Sequence, residues 1–219
     1  MSHILIDTGA SRSFPDRTHP IVSGAAASGD VVILIGTGAG KALAQVPDAG
    51  SKAAILVELG TECLGVHTGE DRGLEGSNVL GFARFRLGDA EPSKLVELVR
   101  QPATPASAIA AATAVFEGAG LQVSVCLDGA GRILDRLLRP YYNAALRRLD
   151  EGLATAADLD TTLKLGLGYP EGPISLLSRT GLTHHFDVSQ ALFEATGDWN
   201  FAPARRARVA KARAARGGN

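Results

Sequence analysis

The fold is decided by a change of pattern within residues 121–149, which read LQVSVCLDGAGRILDRLLRPYYNAALRRL. The first residues form a short apolar run, which is typical of a buried strand. A breaker follows at Asp128–Gly131, and beyond it apolar residues recur with the 3.6-residue period of a helix. The recurring positions are Ile133, Leu134, Leu137, Leu138, Tyr141, Ala145 and Leu149. The stretch therefore predicts an α/β half before it and an all-helical half after it.

Upstream of this change, short and mostly β-branched runs alternate with small-residue, glycine-rich segments. Such runs are typical of buried strands in a parallel sheet, and they predict about five strands. The runs are Ile4–Ile6, Val31–Ile35, Ala54–Val57, Val79–Phe82 and Leu121–Val125. Between them, helices are predicted at Gly38–Gln45, Pro92–Arg100 and Pro105–Gly118, the last with proline and glycine at its ends.

Downstream of the change, every predicted element is a helix. A long helix over residues 132–151 contains Pro140, which we expect to kink it. Thr155 is placed to cap the next helix, with Asp158 three residues on. Further helices are predicted at Pro173–Gly181 and Thr183–Thr196. We expect two domains: a reduced Rossmann-like α/β domain over residues 1–128, and a helical dimerisation domain with a basic C-terminal tail over residues 129–219.

Composition excludes several function classes. The chain has 219 residues, with 22 Lys and Arg against 23 Asp and Glu and a net charge of −1, so no overall charge favours nucleic acid or an acidic membrane. Two cysteines, Cys63 and Cys126, are too few for a disulfide framework or a zinc site. No run reaches transmembrane length, and Met1–His3 does not resemble a targeting signal. We expect a soluble cytoplasmic protein with no nucleic-acid or membrane partner and no metal.

Two short motifs resemble functional loops. Gly36–Lys41 follows a strand and precedes a helix, as a phosphate-binding loop does, but Ile35 and Ala42 stand where a Walker A loop needs Gly and Ser or Thr. We interpret it as a strand–helix turn. Asp7-Thr8-Gly9 resembles the active-site loop of retroviral-type aspartic proteases, where two such carboxylates share a proton. That leaves an aspartic protease as a remote alternative, against a strand that simply ends in a turn.

Two charged segments are assigned ordinary structural roles. His184 and His185 have no carboxylate or thiolate at metal-ligand spacing, so we expect a surface or capping pair. The tail from Arg205 to Arg216 carries six cations and no acid. Because no aromatic residue is interleaved with the charges, we expect a solvated, frayed terminus rather than a phosphate-binding segment.

From Asn78 onward the chain resembles the 3-hydroxyacyl-CoA dehydrogenase family. Several segments match that family's patterns in the right order, including its D-x-D…G-x-G-Y-P-x-G-P signature, and the resemblance covers about Gly29–Pro203. The segments are Lys94–Arg100, Asp135–Ala145, Asp158–Asp160, Leu165–Pro173, Gly197–Asp198 and Phe201–Pro203. The resemblance implies a truncated Rossmann-like parallel sheet followed by that family's C-terminal helical domain.

The resemblance also indicates which family features are missing. Members bind NAD through a G-x-G-x-x-G loop after their first strand, whereas Ile4–Ile6 is followed by Asp7, whose carboxylate would repel a pyrophosphate. Members transfer a proton with a His just after the strand at Val79–Phe82, paired to a Glu. That His falls on Ala83 or Arg84, while Glu97 keeps the position of the Glu.

Two further family positions are altered. A Ser that contacts substrate in the family falls on Glu62 or Cys63, and the Asn at the start of the helical domain becomes Asp135. Glu62, Glu97 and Asp135 are therefore our candidate acids or bases, because clustered carboxylates can have raised pKa values.

We weigh three functions. The first is a catalytically degenerate member, an acyl-CoA-related binding or dimerisation module without a cofactor, forming a homodimer or a heterodimer with a full-length homologue. The second is a functional NAD-dependent 3-hydroxyacyl-CoA dehydrogenase of fatty-acid metabolism. The third is an enzyme of different chemistry that uses the three carboxylates.

The dimer is expected in the 155–200 region, because a short segment there carries more apolar residues than it can bury. We therefore expect Asp at Leu176 or Leu177 to dissociate the dimer. The apolar residues are Leu163, Leu165, Leu167, Tyr169, Ile174, Leu176 and Leu177.

Overall fold

The computed structural model describes residues 2–217, and their contacts divide into two units. The α/β unit contains residues 2–86 and 92–133, and the helical unit contains residues 87–91 and 134–217. Each unit has its own hydrophobic core.

The α/β unit is built on a six-stranded sheet whose strands lie side by side in chain order. All neighbouring strands are parallel except the fourth and fifth, which are antiparallel. The strands are β1 (His3–Asp7), β2 (Val31–Ile35), β3 (Ala54–Glu58), β4 (Val79–Arg84), β5 (Leu95–Arg100) and β6 (Gln122–Leu127). Each of the five predicted strands is present, and the mainly parallel α/β class is confirmed.

The sixth strand corrects the sequence analysis, because the helix predicted at Pro92–Arg100 is wrong. Leu95–Arg100 is β5, and Val96, Leu98 and Val99 are almost completely buried between its two neighbours. A short apolar run that is buried on both faces has no clear period, so the sequence alone does not separate a strand from a helix there.

Helices cover both faces of the sheet. They are α1 (Pro20–Ser23), α2 (Ala39–Ala42), α3 (Gly65–Thr68) and α4 (Ala106–Gly118), with 3-10 turns at Leu43–Gln45 and Ala49–Ser51. On α4, Ala108, Ala112 and Phe116 are buried at four-residue spacing, so one face of the helix packs on the sheet. This confirms the helix predicted at Pro105–Gly118.

The helical unit contains α5 (Leu134–Asp150), α6 (Ala156–Leu167), α7 (Pro173–Thr180), α8 (Leu182–Thr196), a 3-10 turn (Trp199–Phe201) and α9 (Arg205–Ala215). The Thr155 hydroxyl accepts a hydrogen bond from the Asp158 backbone N–H, so the predicted cap is confirmed. Pro140 lies inside α5. Leu177 is 1% exposed in the core, so Asp there would unfold this unit instead of dissociating a dimer.

The basic tail forms a packed helix, whereas we expected a solvated, frayed terminus. It forms α9, in which Arg205 and Arg206 pair with Asp150 and Lys211 pairs with Asp187. Ala207 is fully buried, so this helix packs on the unit instead of fraying as a solvated end. In residues 2–217, no helix is both long and apolar enough to cross a bilayer.

Candidate functional site

A cavity of about 310 Å³ lies where β1, β2 and β3 end. These strands are parallel, so the loops that follow them meet at one edge of the sheet. In open α/β sheets this carboxyl edge is the usual place for a ligand. The residues around the cavity include Thr37, Lys41, Glu58, Leu59, Glu62 and His67.

Glu58, the last residue of β3, organises two of these loops. Its Oε1 accepts hydrogen bonds from the Ser13 backbone N–H at 2.7 Å and from the Ser11 hydroxyl at 3.0 Å. Its Oε2 accepts from the Gly36 N–H at 2.7 Å. The carboxylate is 8% exposed and fully engaged, which assigns it a structural role.

Glu62 and His67 form a pair at the cavity. The His67 Nε2 lies 3.5 Å from the Glu62 Oε1, which also accepts from the Gly60 N–H at 3.0 Å. The His67 ring lies directly against Gly40, where an added Cβ would be 2.2 Å from the ring. Only glycine leaves space for the imidazole there, which explains part of the glycine-rich pattern at Gly36–Lys41. Glu62 is one of the three carboxylates predicted from the sequence, whereas no sequence pattern indicated His67.

The residues at this edge do not fit an NAD pyrophosphate. A pyrophosphate needs unpaired backbone N–H groups at a helix start directly after the first strand. Here α1 begins only at Pro20, thirteen residues after β1 ends, and the Gly36 N–H already donates to Glu58. Asp7, the last residue of β1, is held by Arg17 at 2.5 Å, so a carboxylate stands at the strand end where an NAD-binding loop would begin. This ion pair also engages the aspartate that an aspartic protease would need.

Glu97 lies on β5 with Ala83 directly opposite it on β4. Ala83 is one of the two positions on which the family His falls, and a methyl group transfers no proton. Arg84, the other position, donates to the Ser13 and Pro92 carbonyl oxygens. The cross-strand neighbour of Glu97 is therefore not a base.

Arg132 lies beside Glu97 instead, with its Nε 3.5 Å from the Glu97 Oε2. Arg132 is 6% exposed and Glu97 is 2% exposed. Within the described residues, the Arg132 Nε and Nη1 make no hydrogen bond. The Ile133 N–H donates to the Glu97 Oε1 at 2.8 Å. Sequence reasoning missed Arg132, since a single Arg after a glycine turn carries no recognisable signal.

The charge of Glu97 also affects a thiol. Burial, and then the negative charge of Glu97, raises the pKa of Cys126 to about 11. A thiol with this pKa stays protonated at neutral pH, so Cys126 is a poor nucleophile and metal ligand. No cluster of His, Cys, Asp and Glu in residues 2–217 could hold a metal ion.

Asp135 belongs to a buried polar network of the helical unit. Its Oδ1 accepts from the Arg139 Nε at 2.7 Å, one helical turn along α5. The Arg139 Nη1 lies 3.3 Å from the His185 Nδ1, and the His185 Nε2 lies 3.0 Å from the Asn143 Oδ1. Our expectation of a surface or capping pair at His184 and His185 is wrong for His185, which is 1% exposed. Asp135 is thus paired with the Arg139 guanidinium, and no contact within residues 2–217 gives Asp135 the role of a catalytic base.

This network predicts a pH-dependent stability. Burial, followed by the charges of Arg139 and His184, lowers the pKa of His185 from 6.5 to about 3. As the pH falls below about 6.5, the unfolded chain binds a proton that the folded unit excludes until about pH 3. We expect the free energy of unfolding to fall across this window by about 1 kcal/mol per pH unit from this group. Urea unfolding followed by circular dichroism measures it.

The matched controls are His185→Gln and His184→Gln. His185→Gln removes the titrating group and should flatten the pH dependence relative to the parent protein. His184 is less buried, so the His184→Gln variant should keep the pH dependence of the parent protein. Equal slopes in the parent protein and His185→Gln would refute the assignment.

The D-x-D…G-Y-P-x-G-P segment has a structural explanation. The Asp160 carboxylate accepts from the Ile174 and Ser175 N–H groups at 2.8 and 2.9 Å, and it therefore caps α7. Gly172 lies against it, since an added Cβ would be 2.3 Å from the Asp160 side chain. Pro173 starts the helix, where no N–H donor is needed. The segment therefore fixes the junction of α6 and α7.

Residues 131–217 match the family described as 3-hydroxyacyl-CoA dehydrogenase, C-terminal domain. The helical unit is therefore similar to the C-terminal domain of 3-hydroxyacyl-CoA dehydrogenases. The resemblance seen in the sequence is confirmed, and so is the fold that it implied.

Curated relatives show the same likeness. The mitochondrial hydroxyacyl-coenzyme A dehydrogenase of Sus scrofa is 36% identical over 110 residues, which are 46% of this chain and 35% of that protein. The 3-hydroxybutyryl-CoA dehydrogenase of Mycobacterium tuberculosis is 36% identical over 127 residues, 57% of this chain and 43% of that protein. The chain thus spans about two fifths of the curated relatives that it matches.

Solved structures extend the likeness into the α/β unit. The (S)-3-hydroxybutyryl-CoA dehydrogenase of Ralstonia eutropha superposes with a TM-score of 0.68 at 25% identity, covering 86% of this chain and 66% of that one. The 3-hydroxybutyryl-CoA dehydrogenase of Escherichia coli K12 superposes with a TM-score of 0.67 at 25% identity. The match covers 89% of this chain and 40% of that one. The sheet of the α/β unit therefore belongs to the same fold as these structures.

Proposed function

We propose that this protein is a non-catalytic pairing module of acyl-CoA metabolism in the cytoplasm. It pairs through its helical unit, as a homodimer or with a full-length homologue, and does not transfer hydride. The observation that carries the proposal is the environment of Glu97, which faces Ala83 across the sheet and has Arg132 beside it. The cross-strand position on which the family's His falls carries a methyl group, so Glu97 has no base at that position to orient. The misfit of NAD at the sheet edge supports the same conclusion.

An NAD-dependent 3-hydroxyacyl-CoA dehydrogenase of fatty-acid metabolism is the second candidate, supported by the names of the relatives. Acetoacetyl-CoA reduction, followed as loss of NADH absorbance, separates the two. We expect no turnover above the buffer control. Turnover that Glu97→Gln abolishes would refute the pairing-module proposal and support the dehydrogenase. Calorimetry with NADH provides a second measurement, and micromolar binding would also count against the proposal.

The pairing surface is proposed at the end of α6, where large apolar side chains are exposed. Leu165 is 83% exposed, Leu167 65% and Tyr169 40%. Three such side chains within five residues form a patch of the kind that marks an interface. Leu176 and Leu177, which the sequence analysis selected for disruption, belong to the core side of the same segment.

We expect Leu165→Asp to dissociate the homodimer, because a charge buried in an apolar interface loses its hydration. Light scattering at tens of micromolar should show a dimer for the parent protein and a monomer for the variant. Leu153→Asp is the matched control, since Leu153 is 67% exposed and lies outside the proposed surface. A dimeric Leu165→Asp variant, or a monomeric parent protein, would contradict the homodimer at this surface.

A further inference from the structure

The cavity at the carboxyl ends of β1–β3 is not used by the pairing function. Its volume of about 310 Å³ lies at the lower end of the range for small-molecule sites, roughly 300–1,000 Å³. That space suits a metabolite of a few carbon atoms. The walls come entirely from the α/β unit, so this unit holds the complete site.

The segment from the end of β2 into α2 offers hydrogen-bond donors and positive charge to the cavity. Thr37 lies on the loop from β2 to α2, Lys41 lies on α2, and both line the cavity. Both residues are exposed, and within residues 2–217 neither the Thr37 hydroxyl nor the Lys41 ammonium has a hydrogen-bond or ion-pair partner. An ammonium group and a hydroxyl group in the lining favour an anionic group of a ligand.

The segment that follows β3 offers a hydrogen-bond acceptor. Glu62 keeps its Oε2 unbonded, since the Gly60 N–H and the His67 ring both lie at its Oε1. Glu58, the second carboxylate of the cavity, is saturated by Ser11, Ser13 and Gly36. The His67 ring is fixed against Gly40 and so stays beside Glu62. A carboxylate oxygen in this position favours a hydroxyl or amino group of a ligand.

We propose that this cavity binds a small organic anion that also carries a hydroxyl or amino group. The anionic group lies at Thr37 and Lys41, and the hydroxyl or amino group donates to Glu62 next to His67. The two kinds of group select the ligand: a plain anion leaves Glu62 without a donor, and a neutral alcohol leaves Lys41 without a counter-charge. The site goes beyond the pairing function and does not depend on it.

The experiment is calorimetry of the full chain with matched probes. Glycerol 3-phosphate is compared with propyl phosphate, and lactate with propionate, so that a phosphate and a carboxylate are each tested with and without a hydroxyl group. At least one hydroxylated probe should bind about tenfold tighter than its matched anion, the difference expected for a hydrogen bond to a charged group. No detectable binding of either hydroxylated probe at 10 mM, or equal affinity within both pairs, would overturn the proposal.

Variants locate the binding. Lys41→Met should lower the affinity for the probe that binds by at least about tenfold. Glu62→Gln should reduce the preference for the hydroxylated probe over its matched anion. Lys52→Met is the matched control, because Lys52 precedes β3 at the opposite edge of the sheet; it should leave the affinity unchanged. Lys41 is exposed, so its substitution tests binding without disturbing the core. Affinity that survives Lys41→Met, or falls equally in Lys52→Met, would refute the site.

Discussion

Replacing Arg132 by methionine is expected to destabilise the α/β unit by about 3–5 kcal/mol. The change removes a guanidinium that lies 3.5 Å from Glu97, while the Glu97 carboxylate remains 2% exposed. A buried charge that loses its counter-charge keeps its full desolvation cost. Methionine keeps an aliphatic stem, so the loss of packing is small. Urea unfolding followed by circular dichroism measures the effect, and hydrogen exchange of the β4 and β5 amides assigns it to this unit.

The double variant Arg132→Met with Glu97→Gln is the control. Glutamine can still accept from the Ile133 N–H, as the Glu97 Oε1 does now, but it carries no charge. We therefore expect the double variant to recover most of the stability lost in Arg132→Met. A single variant that costs less than about 1 kcal/mol, or a double variant with no recovery, would show that the ion pair contributes little.

Replacing Asn143 by leucine is expected to cost the helical unit about 4 kcal/mol or more. Asn143 is completely buried, and its Nδ2 donates to the Phe201 carbonyl at 3.2 Å. Its Oδ1 accepts from the Ala204 N–H at 3.1 Å and lies 3.0 Å from the His185 Nε2. Leucine has a similar size but leaves these buried polar groups unsatisfied, and each such group costs about 1–3 kcal/mol.

Asn200→Leu is the matched control for Asn143→Leu, because Asn200 is exposed in the same unit. Its substitution should change the free energy of unfolding by less than about 0.5 kcal/mol. Denaturant unfolding of both variants at pH 7 measures the two values. Similar losses in the two variants would show that the buried network does not decide the stability of the helical unit.

Most elements could be predicted from local pattern. Apolar period, glycine and proline predict strands at Val31–Ile35 and Val79–Phe82 and helices at Pro105–Gly118 and Pro173–Gly181, and the structure has an element of the same type at each place. Leu95–Arg100 could not be predicted, because it is buried on both faces and only its neighbouring strands impose the extended form. Local signals determine an element when its two faces differ, and they fail when both faces are buried.

The candidate site was only partly visible in the sequence. Glu97 and its missing His partner were recognised from a motif, since spacing along the chain carries that information. Arg132 beside Glu97 was not recognised, nor was His67 beside Glu62. Arg132 is 35 residues from Glu97 along the chain, and the role of His67 depends on its packing against the distant Gly40.

The sequence by itself determined five of the six strands, the change from α/β to all-helical structure after Asp128, and the likeness of the helical unit to the 3-hydroxyacyl-CoA dehydrogenase C-terminal domain, because each of these depends on residues that are close in the chain. Only the tertiary structure decided that Glu97 has a cation for a neighbour and that Leu177 belongs to a core while Leu165 is exposed. It also decided that the loops after β1, β2 and β3 enclose one cavity. The physical reason is that burial and electrostatic pairing depend on contacts between distant residues, and chain folding alone creates those contacts.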